Sequence, residues 1–213
     1  MKTVKSRFFG LLKNTGEEGL PHEDGESRFF ALSPEDAAAL PQSTAWGSRA
    51  QHVKALPLDE KRGMAQLRTL WQADQMMSML HGQPLERMAP HMSFATVPAD
   101  QELILQGELG DYMLVLLRGT ISVVRKQEWG ETLVLANVQA GEMLGEMSLL
   151  DGGVRFSTCV TRSECDIAVL TADGLDRMIA TEPQIAASLI ALLARKISLR
   201  LRVVSARLGG RKT

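Results

Sequence analysis

Between about Met92 and Thr171 short apolar and β-branched runs, ELILQ, YMLVLL, TISVVR, TLVLANV, STCVT and DIAVL, are separated by Gly or charged residues. Runs of this length, punctuated by Gly107, Gly110, Gly119, Gly130 and Gly141 as turn positions, predict antiparallel strands packed as a sandwich or barrel. The flanking texture is helical. From Leu58 to Leu80, Met64, Leu67, Leu70, Trp71, Met77 and Leu80 recur close to one helical face, with Asp59 and Glu60 in the first turn, where carboxylates meet the positive end of the helix dipole. This predicts an amphipathic helix packed on the strands, its Met-rich stripe serving as adaptable packing rather than a cofactor site. Thr171-Ala172-Asp173 caps a short helix through Ile179, and Pro183 opens a long helix to about Leu208, stopped by Gly209-Gly210. Along it Ile190, Ala194, Ile197, Leu201, Val204 and Leu208 follow a heptad a/d pattern, and Ile185, Leu189, Leu192, Leu199 and Val203 form a second stripe. One stripe is expected to pack on the strand domain and the other to meet a second copy of the chain.

Residues 1 to about 56 lack sustained periodicity and read as largely disordered, with a short helix started by Ser33-Pro34-Glu35-Asp36. A motif repeats there. Ser6-Arg7-Phe8-Phe9-Gly10-Leu11 returns as Ser27-Arg28-Phe29-Phe30-Ala31-Leu32. Chance, or two apolar patches folding back on the domain, accounts for the repeat as well as function does. The functional reading is a pair of docking motifs: Phe8, Phe9, Phe29 and Phe30 fill apolar pockets, Arg7 and Arg28 meet carboxylates, and two copies on a tether add avidity. Weak binding to a membrane surface ranks third.

Charge and composition narrow the function classes. The formal net charge of the 213 residues is −1, yet seven of the 24 Lys and Arg and none of the 25 Asp and Glu fall in residues 195–213, which leaves 17 against 25, a net −8, before residue 195. A basic helix end thus balances an acidic body. No apolar run approaches the roughly 18 residues of a membrane span, and the N-terminus lacks a signal-peptide core, so a cytoplasmic protein is expected. Cys159 and Cys165 read as buried thiols, and the four scattered His suggest no metal site. No nucleophile elbow, P-loop or Cys/His pairing is present, and no enzyme is expected.

The segment Gly145-Glu146-Met147-Ser148-Leu149-Leu150-Asp151-Gly152-Gly153-Val154-Arg155-Phe156-Ser157-Thr158 carries the most chemistry per residue. Gly145 permits close backbone approach, a following helical turn offers outward N–H groups, and Arg155 supplies a forked cation, a combination suited to a singly charged phosphodiester. Glu146 beside that anion requires a hydroxyl donor on the ligand, which a ribose 2′-OH provides. On spacing alone, Glu146 and Arg155 pairing across a turn, with Gly152-Gly153 as a plain hairpin, is the simpler reading.

Two blocks then resemble the cyclic nucleotide-binding domain family: Gln106-Gly107-Glu108-Leu109-Gly110-Asp111-Tyr112-Met113 leading to Gly119, and Gly145-Glu146-Met147-Ser148-Leu149-Leu150 followed by Arg155. The resemblance covers roughly His91 to Leu208 and implies a mainly β fold with flanking helices: a jelly-roll-like β-roll and a long C-terminal helix. With the N-terminal stretch and the helical segment read from their own patterns, the chain divides into residues 1–56, a helical segment 57–90, the roll 91–181, a lid and dimerisation helix 182–208 and a tail 209–213. The resemblance also implies that Glu146 accepts the ribose 2′-OH, that Arg155 pairs with the cyclic phosphate, that amides around Met147, Ser148 and Phe156 donate to it, and that Gly145 and Ser157 belong to the same ligand site. Lys196, Arg200 or Arg202 would approach the purine. Val154, Leu144 and Phe156 depart from the family pattern, and Phe156, standing where a small or hydroxyl residue is usual, removes a hydroxyl-based preference for guanine. The expected function is a homodimeric sensor of cAMP or cGMP, with cyclic dinucleotides also possible, acting through protein contacts. An adaptor that has lost nucleotide binding and recruits a partner through the RFF motifs is the alternative. Gly209 to Thr213 are too few for a helix-turn-helix, so no sequence-specific DNA binding is expected.

Overall fold

The computed structural model describes residues 43–80, 82–127 and 129–209. Both copies of the RFF motif (Arg7, Phe8, Phe9; Arg28, Phe29, Phe30) and the Ser33–Asp36 helix start lie outside the described residues. In chain order the elements are β1 (Ser43–Thr44), α1 (Trp46–His52), β2 (Leu56–Pro57), α2 (Glu60–Ala73), α3 (Gln83–Met88), β3 (Met92–Val97), β4 (Glu102–Ile104), β5 (Leu109–Gly110), β6 (Tyr112–Arg118), β7 (Ile121–Lys126), β8 (Thr132–Val138), β9 (Met143–Leu144), α4 (Glu146–Asp151), β10 (Thr158–Thr161), β11 (Cys165–Thr171), α5 (Ala172–Thr181) and α6 (Pro183–Gly209).

The strands form a roll. One sheet runs β4-β10-β7-β8 and a second runs β2-β3-β11-β6-β9, while β1 pairs in parallel with β5. Between the two larger sheets lies one core, with Val97, Leu103, Leu114, Leu116, Ile121, Cys159, Ile167 and Val169 inside. A second core fills the space between the five-stranded sheet and the helices, and includes Trp71, Met77, Leu85, Met88, Leu175, Met178, Leu189 and Leu193. Strand β6 serves both. Tyr112, Leu114 and Leu116 point into the roll, and Met113, Val115 and Leu117 point to the helices, which is why YMLVLL is apolar without alternation.

Several expectations change in detail. Residues 43–57, read as part of the tail, form β1, α1 and β2, with Val53 in the inner core. The helix expected from Leu58 to Leu80 stops at Ala73, because Asp74 accepts hydrogen bonds from the N–H groups of Met76 (2.8 Å) and Met77 (2.9 Å) and turns the chain into a short 3-10 segment, Met77–Leu80. Its start follows the sequence signal: Asp59 accepts from Arg62 N at 3.0 Å. Gly110 is not a turn but sits inside β5. On α6 the split runs across the helix rather than along it. Ile185, Ala186, Leu189, Leu192 and Leu193 are buried, whereas Leu199, Leu201, Val203 and Val204, drawn from both stripes, are exposed. Cys159 and Cys165 are buried free thiols, and burial pushes the Cys159 thiol up to about 12. Among the described residues no helix is long and apolar enough to cross a membrane.

Candidate ligand site

The two sequence blocks, some forty residues apart, are stitched together by backbone. Gly107 N donates to Arg155 O at 2.8 Å, Arg155 N donates to Glu108 O at 2.7 Å, and Leu109 bridges Val154. Arg155 is therefore anchored on the first block before its side chain makes any contact. That side chain runs inward and is 4% exposed. Its Nη1 donates to Gly145 O at 2.9 Å and its Nη2 to Tyr112 O at 2.6 Å, with the guanidinium 4.6 Å from the Tyr112 ring centre. Burial draws the Arg155 pKa below the ordinary arginine value, opposed by Tyr112, Cys159 and Asp111. A β-carbon at position 110 would collide with the Arg155 guanidinium, and one at 145 would lie 2.5 Å from its Nη1. Gly145 is also left-handed, with φ of 79°, as it caps α4. Both glycines thus make room for one arginine.

Glu146 opens α4 and is 5% exposed. Its partner is not Arg155, the pairing that spacing favoured. Glu146 Oε1 accepts from Arg200 Nη1 at 2.6 Å, and Arg200 Nη2 donates to Met143 O at 3.2 Å, so α6 is tied directly to the cassette. Nor is Gly152-Gly153 a hairpin: Gly152, with φ of 66°, ends α4, and Gly153 N donates to Asp151 Oδ1 at 2.7 Å. Ser148 is buried, Met147 is exposed, and Ser157 is partly buried beside the exposed Phe156. In a helix as short as α4 the first N–H groups have no partner within it.

Of the cations expected near a purine, only Arg200 touches the cassette. Lys196 pairs with Asp74 at 2.7 Å, across an open cleft between α6 and the 3-10 turn, and Arg202 is exposed. Among the described residues no three His, Cys, Asp or Glu side chains are grouped to hold a metal ion. Sequence reasoning passed over Arg125, whose guanidinium lies 3.8 Å from the centre of the Phe156 ring. The signal was its place in β7, two residues after Val123 and four after Ile121.

Residues 94–182 match the family model described as the cyclic nucleotide-binding domain. The chain carries a domain of the cyclic nucleotide-binding family. It is 29% identical over 126 residues to the cAMP-activated global transcriptional regulator CRP of Escherichia coli O6:H1 strain CFT073, which covers 59% of this chain and 58% of that protein. The chain thus spans less than two thirds of that curated relative. Among solved structures, a cyclic nucleotide-binding domain from Methylobacillus flagellatus KT superposes with a TM-score of 0.65 at 24% identity, covering 75% of this chain and 89% of the other. The Thermus thermophilus catabolite activator protein superposes at 0.53 with 27% identity, covering 62% and 63%. The matched residues run from β3 to α5, while β1, α1, β2, α2, α3 and the whole of α6 lie outside them.

Proposed function

We propose that the protein is a cyclic nucleotide-responsive regulator that binds a cyclic mononucleotide, cAMP or cGMP, at the cassette between Gly145 and Ser157. The observation that carries this reading is the coincidence of two buried charged residues, Glu146 and Arg155, on one cassette that α6 also touches. In the bound state Glu146 accepts the ribose 2′-OH, Arg155 pairs with the cyclic phosphate, and amides around Met147, Ser148 and Phe156 donate to it. The ligand and Arg200 then share one carboxylate, so occupancy of the site and the seating of α6 are coupled. A ligand that binds one seating better than the other shifts the population toward it, and equal affinity for both would shift nothing. The exposed apolar residues of the second half of α6 support a homodimer through that helix, which would carry the change to a protein partner in the cytoplasm. Phe156, without a hydroxyl, supports a site with no guanine preference of the hydroxyl type.

Calorimetry with cAMP and cGMP tests this. Binding by the wild type that Glu146→Ala and Arg155→Ala each weaken at least tenfold is the expected result. Heat that neither substitution changes would move the ligand elsewhere. A second reading, an adaptor that keeps the roll without a ligand and recruits a partner through the RFF motifs, is favoured by one fact: both charged cassette side chains already have partners within the chain. That reading requires that neither nucleotide gives heat with the intact protein.

A further inference from the structure

The roll between Met92 and Thr171 contains four arginines, and three have polar partners: Arg118 with Asp166 and Glu164, Arg155 with two carbonyls, and Arg162 with Ser122. Arg125 is different. Among the described residues its guanidinium makes neither an ion pair nor a hydrogen bond, and rests on the ring of Phe156, 3.8 Å from the centre. By the alternation of a strand, Arg125 follows Ile121 and Val123 on the face turned to the interior of the roll, where Ile121 is buried and Val123 packs against the inner core. Its neighbour Val124 pairs with Thr158, two residues beyond Phe156. A half-buried cation with its face on an aromatic ring keeps its edge N–H groups free for an anion, and the ring limits the orientations that binding would otherwise have to freeze out.

Arg155, by contrast, approaches the cassette with Nη1 and Nη2 already donating to Gly145 O and Tyr112 O. A phosphodiester that relied on it alone would have to displace backbone bonds or share them. We infer that Arg125, shelved on Phe156, is a second phosphate-binding cation of the cassette, so that the ligand's anionic phosphodiester is held between a buried arginine and a half-buried one. Phe156 then has a role that its lack of a hydroxyl hides: it replaces a neutral donor by positioning a charged one. The inference rests on the reading of the cassette as a cyclic nucleotide site, and adds to that site a residue which neither block of the resemblance contains.

The test is calorimetric titration of the full chain with cAMP and with cGMP at several salt concentrations, for the wild type, Arg125→Ala, Arg125→Lys and Phe156→Leu. Loss of a charge-assisted hydrogen bond predicts that Arg125→Ala weakens binding about ten- to a hundredfold and flattens its salt dependence. Arg125→Lys restores part of the affinity and the salt dependence, which a merely structural role would not do. Phe156→Leu gives a smaller loss, because the cation remains but its shelf is gone. Binding that Arg155→Ala abolishes while Arg125→Ala leaves affinity and salt dependence unchanged overturns the inference and leaves the cassette reading intact. No binding of either nucleotide by the wild type overturns both.

Discussion

Strands β6 and β8 are each seven residues long and look alike in sequence, YMLVLLR against TLVLANV, yet one is buried almost throughout and the other is exposed at all but its last residue. The difference is position. β6 lies between β11 and β9, with the inner core on one face and the helical core on the other, whereas β8 is the last strand of its sheet, paired on one side with β7. Apolar content therefore reports what a strand can bury, and its place in the sheet decides whether it does. The exposed Leu133, Val134 and Leu135 mark an edge that folding of the described residues leaves uncovered.

The comparison is broken most directly at its buried end. Leu116→Ala in β6 is expected to cost about 3 kcal/mol, as deletion of a fully buried side chain leaves a cavity, measured by urea unfolding. A cost within the range of surface changes would mean that β6 is not the shared wall of two cores. The polar end of the same sheet comes next. Asp166 in β11 is buried, and although burial pushes its carboxyl up, hydrogen bonds from Arg118 (3.0 Å), Gln66 (3.0 Å) and Thr96 (2.8 Å) hold it at about 2. A carboxyl held below its unfolded value of about 3.9 contributes stability that is present above that value and lost as pH falls toward 2. Asp166→Asn is expected to cost about 2 kcal/mol at neutral pH, and the gap between variant and wild type should close between about pH 4 and pH 2. A gap independent of pH would assign the loss to packing alone. The smallest effect belongs to β8: Leu133→Thr is expected to change the unfolding free energy by no more than about 0.5 kcal/mol. A loss comparable to that in β6 would show the edge to be covered in solution.

Much of this was legible in the chain. Strand runs, their antiparallel nature, the helical flanks and both cassette blocks follow from local pattern, because turns and alternation are written within a few residues. What local pattern does not carry is the partner of each charge. Glu146 and Arg155 are nine residues apart and were natural partners on spacing, but the folded chain gives Arg155 to two carbonyls and brings Arg200 back across 54 positions to Glu146. The break at Asp74 was hidden because Met76 and Met77 continue the apolar pattern, while the side chain that stops the helix acts through backbone N–H groups. Residues 43–57 were missed because two-residue strands have no period to detect. Even so they are built into the roll: Trp46 lies 5.4 Å from the Tyr112 ring, and Arg49 pairs with Glu108.

The contact between Arg200 and Glu146 has a mechanical side. Among the residues of α6 whose burial is described, the last one buried in the core is Leu193, and the helix continues to Gly209, 16 residues further on. At 1.5 Å per residue this arm is about 24 Å long, so a tilt of about 5° about Leu193 displaces its end by about 2 Å. Arg200 grips the arm close to its fulcrum, seven residues out, where a small shift at the cassette is enlarged more than twofold at the tip. The cassette thus sits on the short side of a lever, and the apolar residues beyond Arg200 travel on the long one.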